Sequence, residues 1–145
     1  MAKAGPDIIF ADAEFLASLP DLDPGSDEAA AVSDLAVAGR IVTVAEARGQ
    51  AEKSYQAIVN HPLFQKIKSK STTQARRAKA RSLASSMPSI KLSRHAGMTE
   101  LIVAAAALDE SGAILTTVAQ KTAFYGKFKP KISSTILTVA DLTDL

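Results

Sequence analysis

Over the first 90 positions apolar residues recur mostly at spacings of three and four, whereas the last third carries short apolar runs separated by polar links. Ser26 ahead of Asp27 and Glu28 is a helix start, a serine cap followed by acids where the helix dipole favours them. Gly39 is a natural stop, so the pattern predicts a helix from about Asp27 to Ala38. Thr43 and Glu46 match a capping box, and Val44, Ala47, Ala51, Tyr55 and Ile58 then share one helical face. Asn60-His61-Pro62 breaks that helix, and Pro62 suits the first turn of a short successor carrying Leu63, Phe64 and Ile67. Ser71 and Gln74 repeat the capping pattern ahead of a helix from Thr72 to about Ser86. Its apolar side is only Ala75, Ala78, Ala80 and Leu83, a thin stripe for a helix that buries itself. Residues 1–25 are punctuated by Pro6, Pro20 and Pro24-Gly25 and are expected as an arm or irregular segment, with a short helix over Asp12 to Leu19. Residues 26–145 are expected as a single domain.

After residue 88 the pattern changes. Leu101–Leu108 and Ala113–Ala119 flank Asp109-Glu110-Ser111-Gly112, which reads as a β-hairpin with Gly112 in the turn, although four consecutive alanines at 104–107 also suit a helix. Ala123–Phe128 and Ile132–Val139 read as two further strands, and the alternation over residues 89–94 adds a possible fifth. The expected fold is α+β: N-terminal helices followed by a C-terminal antiparallel β-meander, with the helices packed on one face of the sheet.

Composition narrows the chemistry. A chain of 145 residues with 47% apolar content is long enough for one self-sufficient core, but aromatics make up only 5% and alanine dominates. A modest core supplemented by partner burial is the expectation. The absence of cysteine removes disulfides, thiolate zinc sites, iron–sulfur clusters and cysteine nucleophiles. No run approaches the ~20 apolar residues of a membrane span, and Met1–Phe10 lacks the features of a secretory signal. No membrane association is expected, and the location is expected to be cytoplasmic, or within a virion assembled in the cytoplasm.

The net charge of +2 hides two opposed blocks. Residues 1–52 hold ten acids against three basic residues, and residues 53–99 hold ten basic residues and no acid. Lys66, Lys68, Lys70, Arg76, Arg77, Lys79 and Arg81 fall within sixteen positions, and Lys91 and Arg94 extend the block. Such a cluster attracts polyanions by releasing their counterions. It serves equally as a solvated helix face or a dock for an acidic partner. In a second basic stretch, extended alternation would put Tyr125, Lys127, Lys129 and Lys131 on one face for stacking and phosphate contact. Its simpler role is structural: Phe124 and Phe128 enter the core while the lysines discourage edge pairing.

Catalytic patterns are weak. His61 and His95 are isolated, so no metal site is expected. There is no Gly-x-Ser-x-Gly elbow, no phosphate-cradling glycine pattern, and Asp109-Glu110 suits a turn. The chain is therefore expected to be a non-enzymatic structural or assembly subunit, as in a phage particle or other nucleoprotein complex. It would form homo-oligomers by meeting acidic and basic blocks head to tail, with no cofactor and no small-molecule substrate. The alternative is a small nucleic-acid-binding protein, a regulator or single-strand binder, that uses the basic 66–94 block on DNA or RNA.

Overall fold

The computed structural model describes residues 7–85, 98–125 and 134–144. In chain order they form β1 (Ile9–Ala11), α1 (Ala13–Ser18), α2 (Asp27–Val37), β2 (Ile41–Val44), α3 (Ala45–Ser54), α4 (Pro62–Lys66), β3 (Lys68–Lys70), α5 (Gln74–Ser85), α6 (Met98–Asp109), β4 (Ala113–Leu115), α7 (Val118–Ala123) and β5 (Ile136–Leu137). Turns of 3-10 helix occupy Leu19–Asp21, Gln56–Asn60 and Val139–Asp144.

The strands make one five-stranded sheet of order β3-β2-β1-β4-β5, and every pairing is parallel. Ile9 faces Ile41 on one side and Ala113 on the other, so β1 is the centre of the sheet. This overturns the expected antiparallel meander and the expected segregation of helices before strands. Parallel neighbours need a crossover between them, so among the described residues helices lie between successive strands. Strands covered on both faces read as continuous apolar runs rather than alternating ones. Ile9–Ala11 and Ala113–Leu115 are such runs, Ile41–Val44 is one broken only by Thr43, and each is buried throughout. Two groups of helices result: α2 packs with α4 and the last 3-10 turn, while α6 packs with α3 and α5.

Two expectations fail for clear reasons. Residues 101–108 lie within α6 and are not a hairpin strand. Alanine is the best helix former, and a segment apolar on every side is buried on every side: Leu101 to Ala107 are all in the core. The polar link after it is a helix end. The N–H of Gly112 donates to the Ala107 carbonyl at 2.8 Å, and it is Ser111 that takes the left-handed conformation, φ 53°. Gly112 is required for a different reason: a Cβ there would lie 2.7 Å from the Ile8 carbonyl oxygen. Residues 113–119 are likewise split between β4 and α7, whose cap is Thr117. The strand expected over 123–128 is the end of α7 and the turn after it as far as residue 125; 126–128 lie outside the described residues, as does 89–94. Of 132–139, residues 136–137 form β5.

The N-terminal segment is the second failure. Instead of an arm, residues 7–25 supply the central strand and the buried side chains Phe15, Leu16 and Leu19. Pro20 sits at the start of a 3-10 turn, where its missing N–H is harmless. The Thr43–Glu46 capping box is also absent. Thr43 belongs to β2 and donates to the Ala11 carbonyl at 2.7 Å, and α3 starts one residue beyond Val44. Ala47, Ala51 and Ile58 are buried as expected, but Tyr55 is exposed because α3 ends at Ser54. Helix α5 is capped by Thr73, whose hydroxyl accepts from the Arg76 N–H, not by Ser71. The Ser26 cap, the Gly39 stop with φ 77° and Pro62 in the first turn of α4 form as the sequence predicts. Among the described residues no helix is long and apolar enough to cross a membrane.

Candidate functional site

Stepping outward from β1, the chain lays down β2 and β3 on one side, then returns to lay down β4 and β5 on the other. In open parallel sheets ligands bind beyond the carboxyl ends of the strands, at the point where this order reverses. Here that point lies between β1 and β4, and Asp12 sits on it.

Asp12 follows β1 directly, and its N–H donates to the Leu115 carbonyl at the end of β4, 3.0 Å away. Extended backbone at this residue lets the side chain cap α1, with Oδ1 accepting from the Phe15 N–H at 2.8 Å. Oδ2 accepts from the hydroxyl of Thr116 at 2.5 Å and from that of Tyr125 at 2.8 Å. The residue is completely buried. Burial lifts its carboxyl from 3.8 to about 6; the three hydrogen bonds hold the rise back, and the charge of Glu100 adds to it. The Tyr125 phenol is driven well above its ordinary value by burial and then by Asp12, Glu100 and Glu14. Glu100, in the first turn of α6, is only 2% exposed and accepts from Gln120 at 3.5 Å. Beside it, Thr99 donates to Gln50 at 2.7 Å and so fixes the start of α6 against α3. The charge of the buried Glu100 is thus felt by Asp12 at the switch point. Among the described residues no cationic side chain bonds Asp12, and no three acidic, histidine or cysteine groups converge as a metal-holding set.

A cleft of about 230 Å³ opens next to this network. One wall is the α1 end and the turn after it, from Phe15 to Leu22; the others are Thr116–Val118 after β4, and Thr138 and Val139 after β5. Thr116 belongs to both features, lining the cleft and bonding Asp12.

The basic block has a different fate from the one its density suggests. Arg76, with its side chain only 13% exposed, donates to Asp109 at 3.2 Å and to Glu110 at 2.7 Å. Lys70 adds a 3.0 Å bond to Glu110, and Lys79 lies 3.7 Å from Asp109. These cations neutralise acids at the C-terminal end of α6, where the helix dipole disfavours negative charge. Arg77 pairs with Glu46 at 3.1 Å, and Thr72 also donates to that carboxylate. Lys66 donates to Ser33. Lys68 and Arg81 are exposed with no acidic partner among the described residues. Arg76 is thus an internal tie between α5 and α6. Tyr125 belongs to the Asp12 network rather than to an extended basic face. Lys91, Arg94, Lys127 and Lys129 lie outside the described residues. His61 caps α4, its Nδ1 accepting from the Leu63 N–H at 3.2 Å.

Asp12, Thr116 and Glu100 escape a reading based on composition and motif. The available signal is a repeated junction, in which a short apolar run is followed at once by a polar residue and a helix: Ile9-Phe10-Ala11-Asp12 and Ile114-Leu115-Thr116-Thr117. Glu100 carries a different mark, an acid inside an otherwise apolar helix. Comparison with protein-family models and with curated proteins finds no match.

Proposed function

We propose that the protein is a cation-assisted phosphodiester hydrolase acting on nucleic acid, with its site at the carboxyl end of the sheet between β1 and β4. The observation that carries this reading is Asp12: a fully buried carboxylate at the switch point that, among the described residues, is bonded only to neutral donors, with the charge of Glu100 acting on it. A carboxylate in a water-poor place is held in its charged form by a nearby cation. Mg²⁺ suits a site of this kind, because it commonly binds through one or two carboxylates and completes its shell with water and substrate phosphate. Asp12 and Glu100 would hold it, and the ion supplies polarisation of a phosphoryl oxygen. The protein's own part is to fix both carboxylates on rigid elements, through the Phe15 N–H, Thr116 and the Thr99–Gln50 bond. The exposed cations Lys68 and Arg81 draw in a polyanion. The test is incubation of labelled single- and double-stranded RNA and DNA with and without Mg²⁺. Cleavage that requires Mg²⁺ and is lost in Asp12→Asn and Glu100→Gln is expected; a Mg²⁺-independent or unaffected activity, or none on any of the four polymers, contradicts it.

A specific observation keeps the assembly subunit as a second reading. Tyr55 and Val59 are both exposed around the 3-10 turn that follows α3. An aromatic and an aliphatic group, each exposed on this short stretch, suit a contact with another copy of the chain. Light scattering at rising concentration tests it: assembly abolished by Tyr55→Ser with Val59→Ser supports it, and a monomer throughout removes it.

A further inference from the structure

We propose that the cleft beside Thr116 receives one unstacked nucleobase of a single strand, and selects bases that carry an exocyclic amine. The proposal deepens the phosphodiester reading and rests on it for the polymer to which the base belongs. Its volume of about 230 Å³ lies below the ~300–1,000 Å³ of sites for drug-sized ligands, so the occupant is a fragment of about one ring system. Phe15, Leu19, Leu22, Val118 and Val139 supply apolar walls, which suit the faces of a flat heteroaromatic ring. Val118, at 72% exposure, is a large aliphatic group left in solvent at this site, and it would be covered by an occupant.

The polar groups set the selection. Thr117 uses its hydroxyl oxygen to accept from the Gln120 N–H, which leaves its hydrogen to donate to a ring nitrogen or carbonyl. The Asp21 carboxylate is exposed at the edge of the cleft and accepts only. It therefore favours a base edge that donates, the amine of adenine, cytosine or guanine, over the carbonyl edge of uracil. Continuity with the catalytic edge follows from Thr116, which lines the cleft and bonds Asp12. A base seated here lies one side chain, Thr116, away from Asp12. An unstacked base is available in single strands and costly to extract from a duplex.

The test uses the intact chain without divalent cation, titrated with AMP, CMP and UMP and followed residue by residue by amide NMR. Saturable shifts at Leu22, Thr117 and Val118 are expected, with AMP and CMP binding about tenfold more tightly than UMP, the size of one charge-assisted hydrogen bond. Asp21→Asn should erase that difference, and Val118→Trp, at an exposed position, should weaken all three. Shifts confined to the basic face, equal binding of UMP, or no shift with any nucleotide overturns the base site. Mg²⁺-dependent cleavage without cleft shifts leaves the hydrolase reading standing and removes this one. Cleft shifts without cleavage do the reverse.

Discussion

Two groups of carboxylates in this molecule are treated in opposite ways. Around α5, the partly exposed Glu46, Asp109 and Glu110 are met by Arg77, Arg76, Lys70 and Lys79. Burial alone would raise Glu46 and Glu110, but their hydrogen bonds from Thr72 and Arg77, and from Lys70 and Arg76, outweigh it and leave both below their ordinary values. At the switch point the wholly buried Asp12 has hydroxyls and one N–H, and its carboxyl stands at about 6. Among the described residues, cations meet the partly hydrated acids and none bonds the wholly buried Asp12. On the proposed reading, a buried Asp12 held by neutral donors would be stabilised by a bound cation.

The most drastic way to break this comparison is to delete residues 1–25, which removes Asp12 together with β1. Ile9, Phe10, Phe15, Leu16 and Leu19 go with it, all in the core. At roughly 1.5–3 kcal/mol each, their burial is on the order of the whole stability of a domain. The truncated chain should show no cooperative unfolding by circular dichroism. A folded product would return these residues to the status of an arm.

The next effect separates the two groups by pH. A carboxyl whose folded pKa is raised binds its proton more tightly in the folded state, so its contribution is greatest in acid and is lost as pH rises. For Asp12 the window runs from 3.8 to about 6, and the loss is about 3 kcal/mol. Glu46 and Glu110, held low, act in the opposite sense: their contributions are present above the ordinary carboxyl range and vanish as pH falls. Urea denaturation from pH 4 to pH 7 on the intact chain and on Asp12→Asn isolates the first effect as their difference. Two parallel profiles would show that Asp12 is not burdened in the folded state.

Tyr125→Phe removes one of the Asp12 donors, and should cost about 1–2 kcal/mol while freeing a lone pair on Oδ2 for a cation. Weaker Mg²⁺ binding in this variant would mean that the tyrosine positions the carboxylate rather than competing for it. Smallest of all, Arg77→Ala breaks a half-exposed pair and should change stability by less than about 1 kcal/mol, with a dependence on salt. A larger loss would show that the α5 cluster is as tightly coupled as the switch point.

How much of this was legible depended on which signal each element carries. Helix α2 announces itself locally, with Ser26 at its cap and Gly39 at its end. The strands were hidden because their length is only two to four residues and their neighbours lie far away in sequence: Ile9 pairs with Ile41 and Ala113. A doubly covered strand has no alternation to betray it, and Ile-Phe-Ala after Pro6 resembles a helix fragment or a loop. Helix α6 misled for the complementary reason. Being buried all round, it has no polar stripe, so its period is invisible and Ile102-Val103 suggested β structure. The basic block was visible as charge but not as partnership, since Arg76 lies 33 and 34 positions from Asp109 and Glu110. Asp12 could be seen only as a possible helix start. Its meeting with Thr116 and Tyr125, 104 and 113 positions away, is a product of the crossover topology.

The most direct test of a cation site at Asp12 is thermal unfolding of the intact chain and of Asp12→Asn at neutral pH, with Mg²⁺ raised from zero to millimolar levels at constant ionic strength. Binding to the folded state alone raises the midpoint by linkage. A Mg²⁺-dependent rise in the intact chain that disappears in Asp12→Asn is expected. A midpoint indifferent to Mg²⁺ in the intact chain, or an equal rise in both proteins, would contradict it.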